Sequence, residues 1–327
     1  MWFTFTSKRI INYFTINISY LLSRLTGSLV LWGKPYSLSI ESAGTCQLSC
    51  PECPLGNKTN HGREMMPQSL YNKIIEECKA HVMVLSLYFQ GEAFLNPQIF
   101  DFIKTARKSK IYTIASSNAN FNHENWAKQV LDSGLNELII SLDGANQTSY
   151  ETYRQGGNFE LVMKNLNALS ELKQTKPYRT KIKIQFLVMQ HNTHEIFKMK
   201  ALAKSLRFPL ILKSIQIQNP NQDTHLLPHN DTYRRYKKTT NGFVIKNKLK
   251  NHCKRLFRNP VVTSTGVVLP CCFDKAGDNA MGNLSNASFA TIWNSDKYMA
   301  FRKKVFSERK NIDICTNCTE GTKKVYV

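Results

Sequence analysis

Three cysteines stand close together near the start of the chain, in the stretch CQLSCPEC that covers residues 46 to 53. Cys46 and Cys50 are separated by three residues, and Cys50 and Cys53 by two. Three thiolates can each bind one iron of a four-iron cluster and leave the fourth iron without a protein ligand. Because a metal position that the protein leaves open is a reactive one, the spacing indicates a site that does chemistry.

A zinc knuckle is the alternative interpretation of these clustered thiols. Structural zinc sites have four protein ligands, and their ligand pairs are usually spaced more tightly. The nearest candidate for a fourth ligand is His61. The missing ligand favours an iron-sulfur cluster over zinc.

A second group of cysteines lies in the C-terminal part of the chain. Cys253 and Cys271 are followed by a C-x2-C pair, Cys315 and Cys318. A pair with this spacing is typical of metal binding. Four thiolates close the coordination of a cluster, so this group predicts electron transfer rather than direct substrate binding. An all-cysteine zinc site, which uses the same four ligands, stays open as the structural alternative.

The chain from 36 to 220 alternates short apolar strands with helical stretches. The predicted strands are YSLSI (36–40), VMVLSLYF (82–89), IYTIAS (111–116), ELIISL (137–142), KIKIQFLV (181–188) and ILKSIQI (211–217). Strands that are apolar along their whole length are expected where helices cover a parallel sheet. Six βα units in series predict an α/β fold with a partial (β/α)6 TIM-like barrel. Ligand groups gather at the carboxyl ends of such strands, and Cys46 follows the first strand.

The composition limits the class of protein. A chain of 327 residues with 42% hydrophobic residues is long enough for one large α/β domain and a smaller one. Nine unevenly grouped cysteines favour metal ligation in a reducing compartment, which predicts a cytoplasmic protein. The net charge of +21 suits a polyanion or an acidic membrane, but no nucleic-acid motif accompanies it, so nucleic acid is disfavoured as a partner.

Four segments are predicted along the chain: an amphipathic helical segment (1–35), the core (36–220), a linker (221–245) and a small α+β domain (246–327). In the last, VVTSTGVVLPCC predicts a hairpin that turns at Gly266, and SFATIWNSDKYMAFRKKVF predicts one helix.

The first segment has one apolar face. Its apolar residues recur at helical spacing, at Ile10, Ile11, Phe14, Ile18, Leu21 and Leu22, but charged residues interrupt any run that could span a bilayer. We expect this face to pack on the body of the protein, with peripheral contact to a membrane surface as the alternative.

The C-x3-C-x2-C pattern after a first strand resembles the signature of radical S-adenosylmethionine (radical SAM) enzymes. The resemblance implies that SAM binds the open iron of a [4Fe-4S] cluster on Cys46, Cys50 and Cys53. Reductive cleavage of SAM then gives a 5′-deoxyadenosyl radical, which abstracts a hydrogen from the substrate.

Other segments extend the resemblance. Gly91 and Glu92, in YFQGEAF, are similar to the Gly-Gly-Glu segment that meets the SAM amino group, with Gln90 in place of the first glycine. Ser117 and Asn118 end the third strand and would face the ribose hydroxyls.

The fourth strand leads into a segment that resembles the SPASM-type subgroup. This stretch, ISLDGANQTSYETYR, implies that Ser141 and Arg154 contact SAM, with Arg154 pairing with its carboxylate in fork geometry. Asp143 is expected to order the turn, and Asn192 is a weaker candidate for a site residue.

The C-terminal cysteines resemble the shortened, twitch form of a SPASM domain. That form implies an auxiliary [4Fe-4S] cluster on Cys253, Cys271, Cys315 and Cys318. SPASM-type sulfatase-maturating enzymes place an Asp base directly after the thiol that matches Cys271, whereas this chain has Cys272 there and Asp274 two positions later. The general base is therefore open between Cys272, Asp274 and another group, and either Cys271 or Cys272 can be the ligand.

The resemblance implies a radical SAM oxidoreductase whose auxiliary cluster accepts an electron and whose electron donor is a flavodoxin or ferredoxin. The implied reaction dehydrogenates or modifies a sugar-like or cyclitol-like small molecule. Peptide modification is the alternative within the family. A nucleic-acid-binding iron-sulfur protein without SAM turnover is the alternative from another class.

Overall fold

A computed structural model describes residues 6–56, 64–219 and 222–320, so His61 lies outside the described residues. In chain order the helices are α1 (Ser7–Thr26), α2 (Gln68–Cys78), α3 (Ile99–Lys108), α4 (Trp126–Asp132), α5 (Gln147–Tyr153), α6 (Phe159–Thr175), α7 (Ile196–Ser205), α8 (Arg255–Arg258), α9 (Phe289–Trp293), α10 (Asp296–Glu308) and α11 (Asp313–Thr316). The strands are β1 (Ser37–Ile40), β2 (Val84–Ser86), β3 (Tyr112–Ser117), β4 (Glu137–Ser141), β5 (Lys181–Val188), β6 (Leu210–Ser214), β7 (Tyr236–Thr239), β8 (Gly242–Ile245), β9 (Val261–Val262), β10 (Val267–Leu269) and β11 (Gly282–Asn283).

The chain forms two compact units. Of the described residues, the first unit contains 6–45, 64–114 and 248–320, and the second contains 46–56, 115–219 and 222–247. The three-cysteine loop therefore belongs to the second unit. The four C-terminal cysteines belong to the first unit, together with the first strands of the chain.

The sheet of the first unit is built around β1. Strands β2 and β9 both pair with β1 in parallel, and the beginning of β3 pairs in parallel with β2. Strand β10 is antiparallel to both β9 and β11. The predicted hairpin is therefore confirmed as β9 and β10, and Gly266 at its turn has a φ of +84°, which glycine adopts without strain.

The predicted C-terminal helix is two helices. Helix α9 ends at Trp293, and the side chain of Ser295 accepts a hydrogen bond from the backbone N–H of Tyr298 to cap α10. Phe289, Ile292 and Trp293 are buried, whereas Phe301 of α10, which the helical pattern also directs toward the core, is partly buried. A serine that caps the next helix separates the two, because its side chain satisfies a backbone donor that would otherwise have none.

Helix α1 packs on the first unit through its polar face, and the expected packing of its apolar face is wrong. The buried Arg9 guanidinium donates to the carbonyl oxygens of Lys79, Ser109 and Lys110 at 2.6 to 3.0 Å. Ser19 and Ser23 are buried as well, whereas the apolar residues at Ile11, Phe14 and their helical neighbours are exposed. Short polar side chains thus allow close packing of the helix, and a buried cation supplies the hydrogen bonds. No helix of the described residues is long and apolar enough to cross a membrane.

The second unit continues with parallel strands. Strand β5 pairs in parallel with β4 and with β6, and the buried residues of β5 alternate with less buried ones. The stretch 221–245, expected as a linker, carries the antiparallel hairpin β7–β8. Tyr236 of this hairpin is buried, and its hydroxyl donates to the carbonyl oxygen of Ile217 at 3.1 Å. Leu48 and Cys50 belong to the same apolar cluster as Tyr236, so this core supports the cysteine loop.

His81, in the first unit, gives the fold a pH dependence that can be measured. Burial, together with the nearby charges of Lys34 and Arg9, lowers the pKa of His81 to about 4. Unfolded histidine takes up a proton near its ordinary pKa of about 6.5, so stability is lost as the pH falls below that value. Between about pH 7 and pH 5 this one group is expected to lower the free energy of unfolding by about 2 kcal/mol.

Urea unfolding of the wild type and of His81→Phe at the two pH values checks this expectation. The ring of Phe289 lies 6.2 Å from that of His81, so an aromatic replacement keeps the packing. The variant should lose less stability on acidification than the wild type. His123→Phe, at an exposed histidine, serves as the matched control. Equal losses in the wild type and in His81→Phe would contradict the assignment.

Candidate active site

The three-cysteine loop is held in the second unit by backbone contacts. Cys50 is buried, and Cys46 and Cys53 are partly buried. The N–H of Ser49 donates to the carbonyl oxygen of Gln155 at 2.9 Å, and the N–H of Cys53 donates to that of Cys50 at 3.1 Å. The first bond attaches the loop to the segment after α5, and the second closes a turn within the loop.

Glycine is required at the end of this loop. A Cβ atom at Gly56 would collide with the backbone nitrogen and oxygen of Cys50. The absence of a side chain therefore allows the chain to pass close behind the buried thiol.

Hydrogen-bond donors point at the sulfur atoms. The Leu48 N–H and the Asn118 side-chain amide approach Cys46 Sγ at 3.5 and 3.6 Å. Arg154 Nη1 approaches Cys50 Sγ at 3.8 Å. Burial raises the pKa of the Cys50 thiol, and the positive charge of Arg154 acts in the opposite direction. Such donors stabilise thiolate sulfur and, in cluster proteins, set the reduction potential.

Arg154 is fixed by a buried ion pair. Its Nε donates to Asp143 Oδ2 at 2.6 Å, and the side chain of Asp143 is fully buried. Burial alone would lower the pKa of Arg154, but the charge of Asp143 and then of Cys50 raise it well above its ordinary value, so the guanidinium stays charged. Asp143 Oδ1 also accepts from the N–H of Leu187 at 2.6 Å. Asp143 thus positions the arginine and joins the end of β4 to β5.

The other predicted residues of the second unit have mainly local partners. Ser117 Oγ accepts from the N–H of Ala119 at 3.0 Å, and Ser141 ends β4 opposite Gln185. Asn192 Nδ2 donates to the carbonyl oxygen of Asp143 at 2.9 Å. The structure therefore brings Asn118 and Arg154 into contact with the thiols, whereas Ser117 and Asn192 form hydrogen bonds with backbone groups.

Gln47 is a neighbour of the thiols that sequence reasoning missed. Its side-chain amide exchanges two hydrogen bonds with that of Asn118, each at 3.2 Å. No motif indicates this contact, because it depends on where β3 ends in space.

Gly91 and Glu92 belong to the first unit. A Cβ atom at Gly91 would collide with the carbonyl oxygens of Ala43 and Thr45. The N–H of Glu92 donates to the carbonyl oxygen of Thr45 at 2.8 Å. The close approach that Gly91 permits is therefore to the chain's own backbone, at the residue that precedes Cys46. Glu92 is buried and accepts from the N–H of Phe94 at 3.2 Å.

The four C-terminal cysteines line one cavity of the first unit. Cys253, Cys271, Cys315 and Cys318 are all buried and all contribute to its wall, whereas Cys272 is partly buried and does not. Burial raises the pKa of each of these four thiols, that of Cys318 to about 12. Buried thiols of this kind become thiolates when a metal replaces the proton.

Arg309 is a further residue of this cavity that the sequence did not reveal. Its Nη2 donates to Cys318 Sγ at 3.6 Å, and its Nη1 donates to the carbonyl oxygen of His252 at 2.8 Å. The N–H of Glu320 also donates to Cys318 Sγ, at 3.3 Å. Burial would lower the pKa of Arg309, but the charges of Cys253, Cys318 and Cys315 raise it above its ordinary value.

Asp274, one candidate for the general base, is buried within its own turn. Its carboxylate accepts from the Asn279 N–H at 3.0 Å and from the Asn279 side-chain amide at 3.4 Å. Burial raises its pKa, and the bonds from Asn279 partly offset that effect. Its role in this turn is structural.

Both cysteine sets fit iron-sulfur clusters by the chemistry of their donors. Each combines thiols with N–H donors and an arginine aimed at sulfur. In the described part of the chain, no group of three or more His, Cys, Asp or Glu side chains is arranged to hold one metal ion. A four-iron cluster binds each thiolate to a different iron, so its ligands need not meet at one point.

Comparison with known families identifies the superfamily to which the chain belongs. The sequence profile of the radical SAM superfamily matches residues 40–203, and that of the SPASM iron-sulfur cluster-binding domain matches residues 253–319. The chain belongs to the radical SAM superfamily and carries a SPASM domain. Its cofactors are accordingly S-adenosylmethionine and [4Fe-4S] clusters, as the resemblance implied.

Curated relatives match part of the chain. A probable GTP 3′,8-cyclase of Methanocaldococcus jannaschii is 26% identical over 162 residues, which are 49% of this chain and 52% of the relative. An AdoMet-dependent heme synthase of Methanosarcina barkeri is 21% identical over 179 residues, which are 54% of this chain and 50% of the relative. The chain thus spans about half the length of these relatives.

Solved structures share the fold over most of the chain. BtrN in complex with AdoMet and 2-DOIA gives a TM-score of 0.56 at 17% identity and covers 89% of this chain and 97% of its own. SuiB of Streptococcus suis, bound to S-adenosylmethionine, gives a TM-score of 0.65 at 15% identity, and the match covers 88% of this chain and 73% of SuiB. Native anSMEcpe with bound AdoMet gives a TM-score of 0.60 at 16% identity, and the match covers 89% of this chain and 92% of anSMEcpe. These matches confirm the expected α/β class, a partial TIM-like barrel with a small C-terminal domain.

Proposed function

We propose that this chain is a radical SAM oxidoreductase that dehydrogenates or otherwise modifies a sugar-like or cyclitol-like small molecule. The observation that carries the proposal is the set of three thiols, Cys46, Cys50 and Cys53, with the guanidinium of Arg154 directed at the buried one. Bound there, the cluster supplies the electron for reductive cleavage of SAM and hence for abstraction of a substrate hydrogen.

The protein's own residues bind and orient the nucleotide. Asp143 occupies the Nε edge of Arg154, which aims the rest of the guanidinium and keeps it charged for the SAM carboxylate. We assign Glu92 to the SAM amino group, Ser117 and Asn118 to the ribose, and Ser141 to a further polar contact, as the family resemblance implies.

The second thiol set would hold the auxiliary cluster. We assign Cys271 rather than Cys272 as its ligand, because Cys271 lines the cavity with Cys253, Cys315 and Cys318. Four thiolates would leave no iron open, so a cluster held there would supply electron transfer rather than substrate binding. Arg309 would offset part of its negative charge.

The match to BtrN supports a small-molecule substrate. The match covers 97% of the BtrN chain, and the BtrN structure contains 2-DOIA. A peptide is the second candidate, because SuiB bound to its precursor peptide SuiA gives a TM-score of 0.63 and covers 86% of this chain. That match covers 70% of SuiB. We expect the reaction to take place in the cytoplasm with a flavodoxin or ferredoxin as electron donor.

Anaerobic reconstitution followed by incubation with SAM and dithionite tests the proposal. The expected product is 5′-deoxyadenosine, measured by chromatography and mass spectrometry. The double variant Cys315→Ala/Cys318→Ala should still form this product while it binds about half the iron, since it leaves only two thiols for the auxiliary cluster and leaves the first thiol set intact. Absence of 5′-deoxyadenosine, together with RNA binding that falls steeply with salt, would favour a nucleic-acid-binding protein instead.

A further inference from the structure

The exposed large apolar side chains of the described residues are concentrated at one place. Seven of them lie in α1, Trp32 follows that helix, and Phe197 and Val244 are the others. Along α1 most of them form one stripe, which we call the α1 stripe: Ile10, Ile11, Phe14, Ile18, Leu21 and Leu25. These positions recur every three or four residues, so they share one face of the helix. A contiguous apolar face of this kind marks an interaction site.

The α1 stripe is held rigidly in its exposed position. The opposite face of α1 is anchored by Arg9, whose guanidinium binds three carbonyl oxygens, and by the buried Ile16. The chain after the helix runs back along it, because Ser23 Oγ accepts from the N–H of Val30 at 2.8 Å and Asn12 Oδ1 accepts from that of Lys34 at 2.9 Å. The helix therefore cannot turn its apolar face inward without losing these bonds.

Trp32 extends the exposed surface beside α1. The backbone N–H of Trp32 donates to Ser19 Oγ at 3.0 Å, and the residue is 64% exposed. Tryptophan is the residue that most favours the boundary between lipid headgroups and hydrocarbon, where its ring is apolar and its N–H is hydrated.

Charge distinguishes the partners that could cover this face. Lys8 and Arg24 are exposed near the two ends of α1, and residues 1 to 40 contain no Asp or Glu. Pairing two copies through antiparallel α1 helices would bring Lys8 of one near Arg24 of the other, with no acidic side chain to offset the repulsion. An anionic lipid surface complements both the apolar face and its cationic flanks.

We propose that α1 docks the protein on an anionic lipid bilayer. The helix lies in the plane of the interface, with the α1 stripe in contact with the acyl chains and with Lys8 and Arg24 at the headgroups. A helix of 20 residues extends for about 30 Å, so the contact is a line along the surface and not a span. The proposal is independent of the reaction that the enzyme performs.

Vesicle flotation with the reconstituted protein, residues 1–327, tests this docking. Phosphatidylcholine vesicles with and without phosphatidylglycerol serve as the probes. We expect the wild type to float with the anionic vesicles, and less so as salt is raised. Phe14→Ser and Ile18→Ser should each weaken binding about tenfold, because each removes a side chain that the bilayer buries.

Phe197→Ser provides the matched control, because Phe197 is 82% exposed on α7 and lies outside the α1 stripe. It should float like the wild type. Circular dichroism checks that each variant is folded, and Ile11→Ser, at a side chain that is 65% exposed, is a second stripe variant. Failure of the wild type to float, or equal losses in Phe14→Ser and Phe197→Ser, would overturn the proposal. So would a wild-type dimer that the stripe variants convert to monomer, since that result assigns the face to a second copy.

Discussion

Cys50→Ala is expected to reduce 5′-deoxyadenosine formation to the background level. Cys50 is the buried thiol of the first set, and Arg154 Nη1 lies 3.8 Å from its sulfur. With this thiol absent, only two cysteines are left to hold a cluster that must also keep an iron open for SAM. The measurement is the amount of 5′-deoxyadenosine per chain after anaerobic reconstitution, together with the iron content.

The matched control for this prediction is Cys78→Ala. Cys78 is buried in α2 and lines neither cysteine site, so its replacement should leave product formation and iron content as in the wild type. The prediction would fail if Cys50→Ala cleaved SAM at the wild-type rate. In that case a different set of thiols would hold the active cluster.

Arg154→Met is expected to have the second largest effect, on both stability and SAM binding. The substitution leaves the carboxylate of Asp143, which is fully buried, without its counter-ion. Removing one partner of a buried pair typically costs about 3–5 kcal/mol. The same change removes the cation that we assign to the SAM carboxylate. Urea unfolding measures the first effect, and equilibrium dialysis with labelled SAM measures the second.

A double variant separates these two effects. Asp143→Asn combined with Arg154→Met removes both charges, while the Asn side-chain oxygen can still accept from the N–H of Leu187. Most of the lost stability should return in the double variant, but SAM binding should not. Wild-type affinity for SAM in the folded double variant would show that Arg154 does not bind the nucleotide.

The strands of the core were predictable from the sequence because short runs rich in β-branched and aliphatic residues are typical of strands. KIKIQFLV, for example, is strand β5 with the bounds predicted for it, and its buried residues alternate with less buried ones. Cysteine spacing indicated the first thiol set and the Cys315–Cys318 pair of the second, because ligands carried on one loop lie close together in sequence. Ser295 was also a readable signal for the break between α9 and α10, because serine is a common helix N-cap.

Other features required the structure. Periodicity showed that α1 has one apolar face, but it could not show which face the protein buries. That depended on Arg9, whose carbonyl partners lie 70 to 101 positions away in the chain. Arg309 likewise reaches His252 across 57 positions. Contacts of such long range are set by tertiary packing and leave no local pattern to read.

Electron paramagnetic resonance of the dithionite-reduced protein, with and without SAM, tests the central claim most directly. The claim is that the thiols of Cys46, Cys50 and Cys53 leave one iron free for the nucleotide. It predicts a [4Fe-4S]+ signal that changes when SAM is added, in the wild type and in the double variant Cys315→Ala/Cys318→Ala alike. A protein that contains only zinc, or a cluster signal that SAM does not alter, would contradict it.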